Sequence, residues 1–110
     1  MKRETLGEFE QLVLLATLRL AEDAFAPDIA GELEARAGRR VSRGALYATL
    51  DRLEGKDFLT WTVDEATPER SGHPKRRFRV TDEGLAALRA SRQAVRNLEA
   101  GLEDILAEQG

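Results

Sequence analysis

The chain of 110 residues has no cysteine and a single histidine. Thiol nucleophiles, disulfide frameworks and zinc sites built from Cys and His are therefore excluded. Aromatic residues make up 5% of the chain, with one tryptophan and one tyrosine. No apolar run approaches the roughly 20 residues needed to cross a bilayer. The N-terminal MKRETLGEFE lacks a secretory pattern, so a cytoplasmic location without a membrane partner is expected. Nothing resembles a nucleophile with its base or a carboxylate pair in an apolar pocket, and neither catalysis nor a cofactor is expected.

What is present fits one soluble domain with a single core, because 42% of residues are hydrophobic and 34% charged. The net charge of -3 conceals a strong asymmetry. Residues 1–35 hold 3 basic and 8 acidic side chains, residues 36–79 hold 11 and 6, and residues 81–110 hold 3 and 6. The middle segment, net +5, is where phosphate would be attracted.

Three helices are predicted in the first half. Thr5 and Glu8 have capping-box spacing, and Phe9, Leu12, Val13, Ala16 and Leu20 recur with helical period over about residues 6 to 21. Pro27 suits the first position of a second helix, whose stripe is Ile29, Ala30, Leu33 and Ala37 and whose stop is Gly38. In the third, VSRGALYATLDRLEGKDFLT, Leu46, Leu50 and Leu53 form a narrow apolar stripe, Ser42 is the N-cap, and Asp57 or Gly55 takes the left-handed position that ends it.

From Phe58 the period becomes alternating. Leu59, Trp61 and Val63 occupy one strand face, read as packing onto the core, and Phe78 and Val80 continue the alternation after a turn-rich segment containing Pro68, Gly72 and Pro74. Thr81-Asp82-Glu83 opens a last helix running to about Glu108. The expected fold is mainly α with a two-stranded β-wing (α+β): a winged helix-turn-helix over 1–80 and a long C-terminal dimerisation helix over 81–110. In such a fold the third helix enters the major groove and the ribbon flanks it.

Three stretches, LGEFEQLVLLATLRL, SRGALYATLDRLEGKDFL and SGHPKRRFRVTDEGLAAL, resemble the PadR family of bacterial transcriptional regulators over nearly the whole chain. Leu46-Tyr47 stands where that family has its Leu-Tyr pair, and Phe78 to Gly84 resembles its Tyr-x-Leu-Thr-x-x-Gly wing exit. The chain departs from the family pattern in reading Ala24-Phe25-Ala26-Pro27 where Gly-Tyr is frequent, and Asp57 where glycine is frequent. The resemblance implies a sequence-specific regulator of double-stranded DNA. A homodimeric repressor on a pseudo-palindromic operator is expected. A small-molecule effector of unknown chemistry is left open, but a phenolic one finds no support, since the last helix has no aromatic residue.

The residues expected at DNA are Ser42, Arg43, Gly44, Tyr47 and Arg52 of the third helix and Arg70, His73, Lys75, Arg76 and Arg79 of the wing. A helix N-terminus with its free N–H groups favours phosphate, and glycine admits a close backbone; the plainer reading of Ser42 is capping alone. Tyr47 lies off the leucine stripe, where it either reaches DNA or packs against the second helix. The basic wing either tracks phosphates or is a solvated charge run. His73 alone reads as a solvated loop residue. For dimerisation, Leu88, Val95 and Leu102 are spaced by seven, and Ser91, Leu98 and Ile105 each follow three residues later, a heptad seam of about two and a half repeats. A competing reading, a winged-helix interaction module without DNA binding, ranks second because it has no need of cations gathered in the middle segment.

Overall fold

The computed structural model describes residues 5–64 and 75–107. Its elements follow the predicted order: α1 (Glu8–Leu20), a 3-10 turn (Ala21–Asp23), α2 (Ala26–Ala37), α3 (Arg43–Gly55), β1 (Leu59–Asp64), β2 (Lys75–Val80), α4 (Asp82–Glu99) and α5 (Glu103–Leu106).

Local chemistry explains most boundaries. The N-cap of α1 is Gly7, two residues beyond the predicted Thr5, and its N–H donates to Glu10 Oε1 at 2.8 Å. Gly38 ends α2 in the left-handed region, φ 63°, where glycine carries no Cβ penalty. Ser42 Oγ accepts the Ala45 N–H and caps α3. After α3, Asp57 takes φ 65°, and its carbonyl accepts a hydrogen bond from the Thr81 hydroxyl at 2.6 Å. The same Thr81 oxygen accepts the Gly84 N–H at 2.9 Å and caps α4. One side chain thus joins the turn after α3 to the start of α4.

The core is built from Val13 and Leu14 of α1, Ile29 and Leu33 of α2, Leu46, Leu50 and Leu53 of α3, and Phe58, Leu59, Phe78 and Leu88. Each fully buried side chain of this size contributes about 1.5–3 kcal/mol. Leu14, outside the predicted stripe of α1, is fully buried, whereas Phe9, Leu12 and Leu20 only flank the core. An almost continuously apolar helix leaves its orientation open until its neighbours are placed.

The ribbon is antiparallel, pairing Leu59 with Val80, Trp61 with Phe78 and Val63 with Arg76. Burial along that face fades from Leu59, 2% exposed, to Val63, 57% exposed, because the ribbon runs outward from the body. A third segment adds to its edge: Phe25 bridges to Arg77, and the Phe78 N–H donates to the Ala24 carbonyl at 2.9 Å. The link after α1 therefore docks on the wing, which alternation in the sequence did not suggest.

The predicted helix to Glu108 is overturned. α4 stops at Glu99, Ala100 adopts ψ 127° and Gly101 takes φ 89° before α5 begins. A glycine that supplies the left-handed stop ends the helix, and Leu102 and Ile105 fall beyond it, off any continuous heptad line. Leu88, expected in the dimer seam, is 2% exposed within the core of its own domain, because the first turns of α4 pack against α1 and β2.

Candidate nucleic-acid interface

The first turn of α3 stands open. Ser42, Arg43, Gly44 and Ala45 are exposed, and a Cβ built on Gly44 meets nothing within 4 Å. Among the described residues no packing requires glycine at that position. Helix geometry aims the free N–H groups of this turn outward, where an anion is stabilised. One turn on, Tyr47 is half-buried, with its ring packed against the core edge. The Arg43 guanidinium lies 5.8 Å from its centroid.

The wing contributes differently from expectation. Ribbon register puts Lys75, Arg77 and Arg79 on one face and Arg76 with Phe78 on the other. Arg76 faces α3, its guanidinium 5.4 Å from the Tyr47 ring. Lys75 and Arg79 are exposed, and Arg79 lines a groove together with Thr17 and Leu18 at the end of α1. It does not join the cluster around Tyr47. Arg77 donates to Asp64 Oδ1 at 2.9 Å and lies over the Phe25 ring at 5.5 Å. Arg70 and His73 lie outside the described residues.

Arg52 has a partner within the chain. Expected at DNA, it instead donates through Nε to Glu10 Oε2 at 3.1 Å and reaches Thr49 Oγ1 at 3.3 Å. Lys56 Nζ donates to the same carboxylate at 3.0 and 3.2 Å and to the Thr5 carbonyl. The far end of α3 is thereby clamped to α1. Positions 49, 52, 53 and 56 share one side of the helix, opposite Arg43, and Arg52 stays exposed there while it pairs with Glu10.

Burial pushes the Glu10 carboxyl up, but the Gly7 N–H, Lys56 and Arg52 together outweigh it and hold it below its ordinary value of 4.5. A carboxylate whose folded pKa is depressed stabilises the protein above its unfolded value, and that contribution disappears as pH falls through the folded pKa. Glu10→Gln is expected to cost about 1–3 kcal/mol at neutral pH and to flatten the loss of stability below about pH 4.5. Urea denaturation at stepped pH checks both, and parallel pH curves for the two proteins would remove Glu10 from the acid response. The signal in the sequence was a lone acid among the apolar positions of α1, and it went unread.

Among the described residues no group of His, Cys, Asp and Glu could hold a metal ion, and no helix is long and apolar enough to cross a membrane. What the geometry offers is an exposed helix N-terminus, a glycine open to close approach, a tyrosine flanked by two arginines and a ribbon beside them. These are the parts with which a helix-turn-helix meets a duplex.

Comparison with known proteins agrees. A PadR-like transcription factor from Bacteroides fragilis is 28% identical, with a TM-score of 0.70 over 88% of each chain. A PadR family regulator from Eggerthella lenta is also 28% identical, with a TM-score of 0.67 over 93% of this chain and 88% of that one. A third, from Clostridium difficile, shares the fold at 20% identity, with a TM-score of 0.71 over 92% of this chain and all of the other. No curated protein matches the sequence. Residues 14–90, from the middle of α1 to the middle of α4, match the transcriptional regulator PadR-like family, and the chain belongs to that family.

Proposed function

We propose that this protein is a homodimeric, sequence-specific DNA-binding repressor that seats α3 in the major groove of a pseudo-palindromic operator. The observation that carries this reading is Gly44, whose missing Cβ faces open space in the first turn of α3, next to exposed Arg43. Glycine lowers helix stability by roughly 0.5–1 kcal/mol relative to alanine, and no contact among the described residues compensates for that. A duplex backbone close to the helix would.

Residues up to about 91 form the DNA-binding body, since Gly84 and Leu88 belong to its core. Every described residue from Arg92 to Ala107 is exposed. Val95, Leu98, Leu102, Ile105 and Leu106 keep 42–79% of their surface exposed, apolar area that a second copy would cover. A two-fold dimer spaces its recognition helices about one DNA turn, roughly 34 Å, apart. Repression follows from occupancy, because a dimer on the duplex excludes other proteins without further contacts.

Gly44→Ala is expected to raise thermal stability while weakening specific binding, and Arg43→Ala to weaken it by roughly 1–3 kcal/mol with the fold unchanged. Gel shifts on a duplex selected by the wild-type protein from a random-sequence pool, paired with melting curves, test both. Wild-type affinity in the two variants would sink the placement of α3 at the DNA.

A further inference from the structure

Arg76 occupies an unusual position for a wing cation. Its guanidinium carbon lies 5.0 Å from the Trp61 ring, 5.4 Å from Tyr47 and 5.5 Å from Phe78. Its Nη1 is 3.9 Å from Asp51 Oδ1, and its side chain keeps only 34% of its surface exposed. Tyr47 and Asp51 belong to α3, Trp61 to β1, and Phe78 to β2. One planar cation therefore touches the recognition helix and both strands of the wing.

We infer that Arg76 is a positioning residue that locks the wing to the recognition helix and holds the Tyr47 ring in place, rather than a phosphate contact. Cations over aromatic faces gain most when partly desolvated, and a guanidinium can stack on several rings at once where an ammonium cannot. Trp61 is already tied to α3, its Nε1–H donating to Glu54 Oε2 at 2.9 Å. Arg76 adds the second tie, on the Tyr47 side. Two ties fix the angle of the outer part of the ribbon, beyond buried Phe78 and the edge held by Ala24 and Phe25. Preorganisation of this kind raises affinity by removing an ordering cost at the moment of binding.

The inference rests on the DNA-binding reading for its effect on affinity, but the lock itself has a readout without DNA. Trp61 is the only tryptophan in the chain, so its emission reports whether the guanidinium covers it. The experiment uses the full chain as wild type, Arg76→Lys, Arg76→Ala and Lys75→Ala. It measures far-UV circular dichroism, tryptophan emission, and affinity against salt for the duplex selected by the wild-type protein.

Arg76→Lys keeps the charge and loses the planar stack. It is expected to bind about tenfold more weakly, the worth of one or two partly desolvated cation–π contacts, with red-shifted emission and unchanged circular dichroism. Arg76→Ala should lose as much with the log–log salt slope intact, whereas Lys75→Ala should reduce the slope by about one unit, as loss of a phosphate contact does. Arg76→Lys binding like wild type, together with a slope reduced in Arg76→Ala, would make Arg76 an ordinary phosphate contact and overturn the inference. Wild-type protein that selects no duplex would overturn the proposed function instead. The lock is then judged by emission alone, and unchanged emission in Arg76→Ala would overturn it.

Discussion

Gly84→Ala is expected to lower the stability of the protein by about 3 kcal/mol or more, the upper end of overpacking substitutions. A Cβ at this position would sit 2.1 Å from the Phe58 carbonyl oxygen, 2.9 Å from its carbon and 3.0 Å from Val80 Cγ1. The first two are backbone atoms fixed by their own bonds. The Phe58 N–H donates to the Leu53 carbonyl, and the Phe58 carbonyl accepts the Thr81 N–H. Relief would require moving the first turn of α4 away from the end of α3, breaking the Thr81 hydrogen bonds to Asp57 and Gly84. For a domain of this size the loss corresponds to a fall in Tm of roughly 10–20 °C, measurable by calorimetry. A variant melting within a few degrees of wild type would show that α4 can shift freely, and DNA affinity measured well below Tm separates this effect from any at the interface.

The second large effect is expected at the distal end of α4. Leu98 is 79% exposed and is not part of the core cluster among the described residues. The 18 residues of α4 extend about 27 Å at 1.5 Å per residue, and only its first turns contribute to the core. The Cα radius of gyration of 16.1 Å exceeds the roughly 13 Å of a compact chain of this length, as expected of a body from which an arm and a ribbon extend. If a second copy covers Leu98, a carboxylate there is buried without a counter-charge and the dimer separates. Leu98→Asp should leave a folded monomer and, by removing the linkage between two half-sites, weaken operator binding by about 100-fold or more. Light scattering with gel shifts checks this. A dimer of wild-type affinity would place the subunit contact elsewhere, with Leu15 and Leu18 on α1 the next apolar surface to test.

How much of this was legible beforehand differs by element. α2 and α3 could be read closely because each carries a narrow stripe and explicit ends: Pro27, Gly38, Ser42 and Asp57 each act through their own backbone chemistry, which does not depend on what lies across the core. The ribbon was legible from alternation. α1 was not, since apolar residues on nearly every side leave the choice of Leu14 over Leu12 to its neighbours. The apolar spacing continues through Gly101 and so masks the stop that its φ of 89° provides.

The sequence alone determined the order of elements, the placement of cations in the middle segment and the family, because these depend on local periodicity, capping chemistry and short motifs. Only the tertiary structure decided which cations remain available to a ligand. Arg52 is held by Glu10, 42 residues away in the chain. Arg76 lies against rings from three elements, and Arg79 belongs to the opposite face of the ribbon. Leu88 likewise belongs to the core of its own domain, while Leu98 is left uncovered. A charged or apolar side chain carries no mark of its partner in its own neighbourhood of sequence. Its role is set when distant elements pack and either neutralise it or leave it in water.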